Sequence, residues 1–154
     1  MSRPAGVAGA WTRNRPADAG RSPGGGKTTG EVTIRVRYAE TDRMGLLHHA
    51  NYLVYFEQAR TELLRDAGKT YKDLEDAGFF LVVAKMEVRY RLPAHYDDLL
   101  TVRTTVTKAS PVRLEHKYEV VRAGAVICEA TSTLACVGRD GKLQALPDWL
   151  TGAE

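Results

Sequence analysis

Long apolar runs are missing from this chain, and so is a secretory leader. No stretch approaches the roughly 18 consecutive apolar residues of a membrane span. The first residues lack the apolar core of a signal peptide, so no export is expected. Cysteine is scarce as well: Cys128 and Cys136 are the only two, eight apart in a strand-like run. On one extended strand they would stand about 26 Å apart at about 3.3 Å per residue. A disulfide needs Cα atoms within about 7 Å. The two thiols cannot pair along that strand, and a reduced, cytoplasmic setting is expected.

A sustained excess of one charge is also absent from the body of the chain. The net charge of +3 arises near the start. Residues 1–30 carry five basic side chains (Arg3, Arg13, Arg15, Arg21, Lys27) against one acid, Asp18. Residues 31–154 carry 17 basic and 18 acidic side chains. A nucleic-acid-binding domain should be basic in itself, so no nucleic-acid partner is expected. Metal-ligand spacing is lacking too. His48 and His49 are adjacent and diverge at a helix start, and both cysteines lie in a distant strand, so no metal site is expected.

What is present suits one domain with a real core: 154 residues, 44% hydrophobic and 27% charged. Residues 1–30 are rich in Gly, Ala, Arg and Pro without periodicity, and read as a disordered tail. Gly24-Gly25-Gly26-Lys27-Thr28 resembles a phosphate-binding loop, but that motif needs glycine where Arg21 stands, and a strand before it. The arginine content also leaves a transit peptide open as a reading. The domain is expected over residues 31–150.

Val32, Ile34, Val36 and Tyr38 alternate with polar residues, which predicts a half-buried strand over 32–38. From Asn51 to Ala67, Leu53, Phe56, Ala59, Leu63 and Ala67 recur at helical spacing, and Leu64 widens the stripe. Gly68 stands where a left-handed cap is expected. Tyr71–Ala77 predicts a shorter helix closed by Gly78. Beyond it the period becomes two and stays so. Met86, Val88, Tyr90 and Leu92 share one face, with Lys85, Glu87, Arg89 and Arg91 on the other. Three further strands follow, over 99–109, 112–122 and 125–138, with turns at 93–98, Ser110-Pro111 and Ala123-Gly124, and a last short strand after Asp140-Gly141. The connections are too short for crossovers, so the sheet is antiparallel. The fold class is α+β: one long helix packed into a curved sheet of five or six strands.

Between the first strand and the helix lies the candidate chemistry. Asp42 precedes Gly45, His48, His49 and Asn51. A carboxylate beside the free N–H groups of a helix N-terminus can attack, or deprotonate water, next to a polarised carbonyl. Gly45 lets the backbone approach a substrate closely. Asn51 caps the helix or orders Asp42. Without its neighbours, Asp42 reads first as a turn or capping residue. Glu57, one turn along and able to pair with Arg60, is the second candidate carboxylate.

The run Tyr38-x-x-Thr41-Asp42-x-x-Gly45-x-x-x-His49-Ala50-Asn51-Tyr52, followed by Phe56-Glu57-x-Ala59-Arg60-Thr61-Glu62 and by Pro93-Ala94-x-Tyr96-Asp97-Asp98, resembles the 4-hydroxybenzoyl-CoA thioesterase family. Within it, the branch associated with the Tol–Pal system is most similar. The resemblance spans roughly residues 31–148 and implies the hotdog fold. It implies an acyl-CoA thioesterase that needs no cofactor, with Asp42 as the catalytic carboxylate and the backbone N–H of His49 on the thioester carbonyl. It also implies a homodimer, stacked in pairs into a homotetramer, with active sites at the dimer interface. Lys85, Arg89, Arg91 and Arg113 are candidates for the phosphates of coenzyme A. Arg43-Met44 departs from the small residues common in relatives. A hotdog module that binds acyl groups or a partner protein without catalysis is the alternative.

Overall fold

A computed structural model describes residues 28–151. Most of the stretch assigned to a tail lies outside them. Strand β1, Thr29–Arg35, nevertheless begins two residues inside it.

In β1 the expected alternation holds, with Val32 and Ile34 turned inward, and Val36 is buried just beyond. It does not continue to Tyr38, which is 79% exposed. Instead Tyr38–Glu40 form one turn of 3-10 helix. The reason is local. The buried Glu40 carboxylate accepts the Arg37 backbone N–H at 2.8 Å and the Arg37 guanidinium at 3.1 and 3.0 Å. The Tyr55 hydroxyl donates to it at 2.7 Å. These side-chain bonds outcompete a continued ladder.

Helix α1, Asn51–Asp66, follows. Its buried side is Tyr52, Tyr55, Phe56, Ala59 and Leu63, with Leu64 at the margin. Leu53, expected inside, is 40% exposed, because Tyr52 and Tyr55 take the inward positions of the first turn. Large aromatic surface outweighs one leucine there, and the Tyr55 hydroxyl has Glu40 as a partner. Helix α2, Tyr71–Asp76, starts from a Thr70–Asp73 capping box. Gly68 and Gly78 close the two helices at φ +95 and +94.

Four more strands complete the sheet: β2, Phe80–Tyr90; β3, Leu99–Ala109; β4, Arg113–Arg122; and β5, Ala125–Val137. All pairings are antiparallel, in the order β1-β3-β4-β5-β2. Register shifts in β2–β5, β3–β4 and β4–β5 mark bulges that bend the sheet. Ala123 and Gly124 both take positive φ, the mirror-image turn that fits a tight hairpin. Helix α1 lies over β1 and β3, giving the expected helix cradled by a curved antiparallel sheet.

That placement explains a difference at β2. Met86 and Val88 are half-buried, but Tyr90 and Leu92 are 47% and 49% exposed, as are Val82 and Val83 at 45% and 52%. The strand lies on the edge farthest from β1, whereas α1 packs mainly over β1 and β3 and meets β2 only at points such as Tyr52 against Tyr90. No strand forms after Asp140-Gly141. An isolated Val137–Leu143 bridge leads to the short helix α3, Asp148–Thr151. Leu146 and Leu150 there close a small second core with Leu114, Leu134 and Cys136. Both cysteines lie on β5, buried and unpaired.

Candidate active site

The loop from Thr41 to Ala50 is folded by its own polar groups. The Asp42 N–H donates to the Leu46 carbonyl at 2.8 Å, and the Gly45 N–H to the Asp42 carbonyl at 2.9 Å. One carboxylate oxygen of Asp42, Oδ1, accepts the N–H groups of Met44 at 2.8 Å and Leu46 at 3.1 Å. Gly45 sits at φ +80. A Cβ there would meet nothing within 4 Å, so the turn, rather than a close approach within the chain, requires the glycine. The loop leans on the 93–98 turn: the Leu47 N–H donates to the Ala94 carbonyl, and Leu46 bridges His95.

The helix start is anchored by the Glu40 carbonyl, which accepts the His48 N–H at 2.9 Å and Asn51 Nδ2 at 2.8 Å. Asn51 therefore does not cap the helix. Ala50 occupies the cap position with no side-chain bond, and Asn51 ties the first turn to the strand side of the loop. His48 Nδ1 accepts the Ala50 N–H at 3.1 Å, which makes that nitrogen the unprotonated one. The His49 ring stacks on the His48 ring at 4.3 Å.

Two groups are left over. Asp42 Oδ2 accepts no hydrogen bond, and the His49 N–H donates none, among the described residues. Asp42 and His49 line one cavity of about 300 Å³ with Leu46, Leu47, Tyr52 and Tyr90. The Tyr90 hydroxyl donates to the His49 carbonyl at 2.9 Å, and its ring meets Tyr52 edge-on at 5.2 Å. Burial pushes the Tyr52 hydroxyl up to about 12 and raises that of Tyr90, with the neighbouring Cys128 adding to both. Both phenols are neutral donors near neutral pH.

Asp42, Gly45, His49 and Asn51 are thus brought together. Of the other sequence candidates Arg91 joins them, lining the same cavity with its guanidinium held by Glu129 at 3.1 Å; the rest do not. Glu57 is exposed and opens on a separate cavity of about 240 Å³ with Arg60, Tyr71 and Glu75. The expected Glu57–Arg60 pair does not form. Arg60 turns inward and donates from Nη1 to the Tyr118 hydroxyl at 3.1 Å, which lies 2.7 Å from Ser132 Oγ. Phe56 stacks on the same Tyr118 ring at 4.6 Å, so the inward path of Arg60 follows the buried stripe. Arg89 lines a shallow cleft on the sheet face opposite α1, with Lys117 and Glu129. Arg113 is exposed at the start of β4, away from the three cavities. Among the described residues no group of three His, Cys, Asp or Glu is arranged to hold a metal ion, and no helix is long and apolar enough to cross a membrane.

Sequence reasoning passed over Glu40, Tyr52 and Tyr90. The Arg37-x-x-Glu40 spacing was the available signal for the first. Tyr52 stood only as the last position of the family motif, and Tyr90 carried no signal beyond an apolar periodicity it shares with core residues.

The model of the thioesterase-like superfamily matches residues 36–153. The chain belongs to this superfamily. YneP of Bacillus subtilis (strain 168), whose name assigns it to the acyl-CoA thioesterases, is 37% identical over 127 residues, covering 79% of this chain and 92% of that protein. The acyl-CoA thioester hydrolase YbgC of Escherichia coli O6:H1 is 35% identical, over 68% of this chain and 78% of its own length. Among solved structures, the DHNA-CoA thioesterase of Staphylococcus aureus superimposes with a TM-score of 0.72 at 31% identity, covering 78% of this chain and 80% of that one. The Asp42 loop and the α1 start, with the free carboxylate oxygen and the free N–H, lie within the matched residues.

Proposed function

We propose that this chain hydrolyses an acyl-CoA thioester to the free acid and coenzyme A at the Asp42–His49 cavity. The observation that carries this reading is the pair of unengaged groups there, one acceptor and one donor. The His49 N–H, helped by the positive end of the α1 dipole, receives the charge that develops on the thioester oxygen. Asp42 Oδ2 supplies the attack in one of two ways. As a general base it takes a proton from water, and the resulting hydroxide adds to the carbonyl carbon. As a nucleophile it adds directly, and water later cleaves the anhydride. Collapse of the tetrahedral adduct in either route breaks the C–S bond and expels the coenzyme A thiolate, which takes up a proton. Neither route calls for a cofactor.

Arg89 and Arg113 are the proposed contacts of the coenzyme A phosphates. Both are exposed, and no carboxylate is bonded to either among the described residues, which supports the reading. Both also lie off the Asp42 cavity of their own protomer, so they would serve that of a second copy. A homodimer joined at the open β2 edge, or a pair of such dimers, supplies that copy and covers Val82, Val83 and Leu92. Light scattering on a size-exclusion column should then give about two or four times the mass of one chain. A monomer that still hydrolyses acyl-CoA would remove the shared site.

The deciding experiment is a panel of short, long and aromatic acyl-CoA substrates, read by release of free thiol. Turnover of at least one member is expected. Binding without thiol release across the panel would overturn hydrolysis in favour of an acyl-binding module.

A further inference from the structure

Four backbone groups surround His49, in the two peptide planes on either side of its Cα. In the first plane the His48 carbonyl accepts the Asn51 N–H at 2.9 Å, and the His49 N–H is unengaged. In the second plane the Ala50 N–H donates to His48 Nδ1 at 3.1 Å, and the His49 carbonyl accepts the Tyr90 hydroxyl at 2.9 Å. Three of the four are therefore held, and the remaining one is the proposed donor to the thioester. Two of the three holds come from residues 48–51 themselves and move with the loop. The hold by Tyr90 comes from the sheet.

Tyr90 is well placed to act as a fixed post. It is the last residue of β2, opposite Cys128 on β5. Just beyond it the N–H groups of Arg91 and Leu92 both donate to the Ile127 carbonyl, which fastens the strand end. Its ring rests edge-on against the buried Tyr52. The hydroxyl thus stands in a position that the sheet and core dictate.

Resting on the thioesterase reading above, we infer that Tyr90 is a positioning residue of the site, whose hydroxyl clamps the His49 carbonyl and so aims the free His49 N–H at the thioester oxygen. Tyr90 acts through the backbone and not on the substrate. A donor that must meet charge at hydrogen-bond distance loses effect when its peptide plane can rock.

Tyr90→Phe keeps the ring and removes only the hydroxyl. The expected result is a fall in kcat of about tenfold, the scale of one hydrogen bond lost from the transition state, with KM within about twofold. The melting temperature and the pH dependence of kcat should be unchanged. An independent readout uses nitrogen-labelled protein and an acyl-CoA analogue whose thioester sulfur is replaced by methylene. The His49 amide signal should move on binding in the original protein and move less in Tyr90→Phe. Unchanged kcat would overturn the inference. So would a rise in KM alone, which would mean substrate contact, or loss of an alkaline limb of the pH profile, which would mean proton donation by the phenol. A parallel drop in melting temperature would reduce the residue to a structural one. Asp42→Asn in the same assay separates the two levels. If it is as active as the original protein, the thioesterase site itself is wrong; if it is inactive and Tyr90→Phe is normal, only the role of Tyr90 fails.

Discussion

A carboxylate stands at each of two cavities beside α1, Asp42 in the loop before the helix and Glu57 on it, and the two settings differ in what accompanies the acid. Asp42 stands before the first turn with an open backbone donor, two neutral phenols and apolar walls. Glu57 stands near the middle with a second acid, Glu75, and a buried guanidinium. Charge is plentiful at the second cavity, yet its guanidinium is turned into the core. Arg60 gives Nη1 to Tyr118, and its Nε is buried without a partner. On the proposed reading, the comparison teaches that a carboxylate serves acyl transfer through an accessible donor beside it more than through formal charge buried nearby.

The largest test of that contrast is Asp42→Asn. It keeps shape and removes the proton acceptor, so kcat/KM should fall by at least about 10²-fold, the scale of a lost general base. Coenzyme A thioester binding, measured by calorimetry, should persist. Near-normal turnover would break the contrast and move attention to Glu57.

A second test acts on the buried side. His116, under the helix beside Tyr118, has its pKa pushed down to about 3, first by burial and then by the Arg60 charge. It is neutral in the fold and takes up a proton more readily when unfolded. The unfolded state therefore binds the extra proton between about pH 6.5 and about 3, and stability falls as pH falls through that window. The slope should approach about 1.4 kcal/mol per pH unit. Urea unfolding at several pH values should show it, and His116→Asn should flatten it. Glu40 adds a separate effect lower down. Burial raises its pKa, but the bonds from Arg37 and Tyr55 outweigh that and leave it below its ordinary value. Its contribution is full above the ordinary glutamate value and is lost as pH falls from there through the lower folded value.

The smallest effect should belong to Glu57→Gln, with kcat/KM within about twofold, since the residue is exposed and faces away from the Asp42 cavity. A loss above tenfold would mean that the second cavity, from its own or a neighbouring copy, takes part in the reaction.

Much of the fold could be read from the sequence because period and punctuation agreed. Gly68 and Gly78 mark helix ends that take positive φ, and Ala123-Gly124 marks a hairpin that forms. Where reading failed, contacts far along the chain decided. Leu53 fits the helical stripe by spacing, but Tyr52 and Tyr55 find partners from Tyr90 and Glu40 and claim the inner side. Tyr38 fits the strand, but Glu40 pulls the chain into a turn. The residues of the candidate site divide the same way. Asp42, Gly45 and His49 are close in sequence and were readable together. Tyr90 reaches His49 across 41 positions, and no local pattern marks that bond.

The strand order has a consequence for how the chain assembles in time. β1 and β2 flank the helix in sequence but occupy opposite edges of the sheet. They never pair with each other, and β2 has only β5 as its neighbour. As the polypeptide leaves the ribosome, the stretch up to Tyr90 emerges with the helices α1 and α2 and with two strands that lack their partners. Tyr90 is delivered with β2, yet its post is fixed only when β5 follows, after β3 and β4. Contacts this distant slow folding. The apolar run Phe80–Val83 must meanwhile wait unpaired, so the hazard of misassociation is concentrated in the nascent chain.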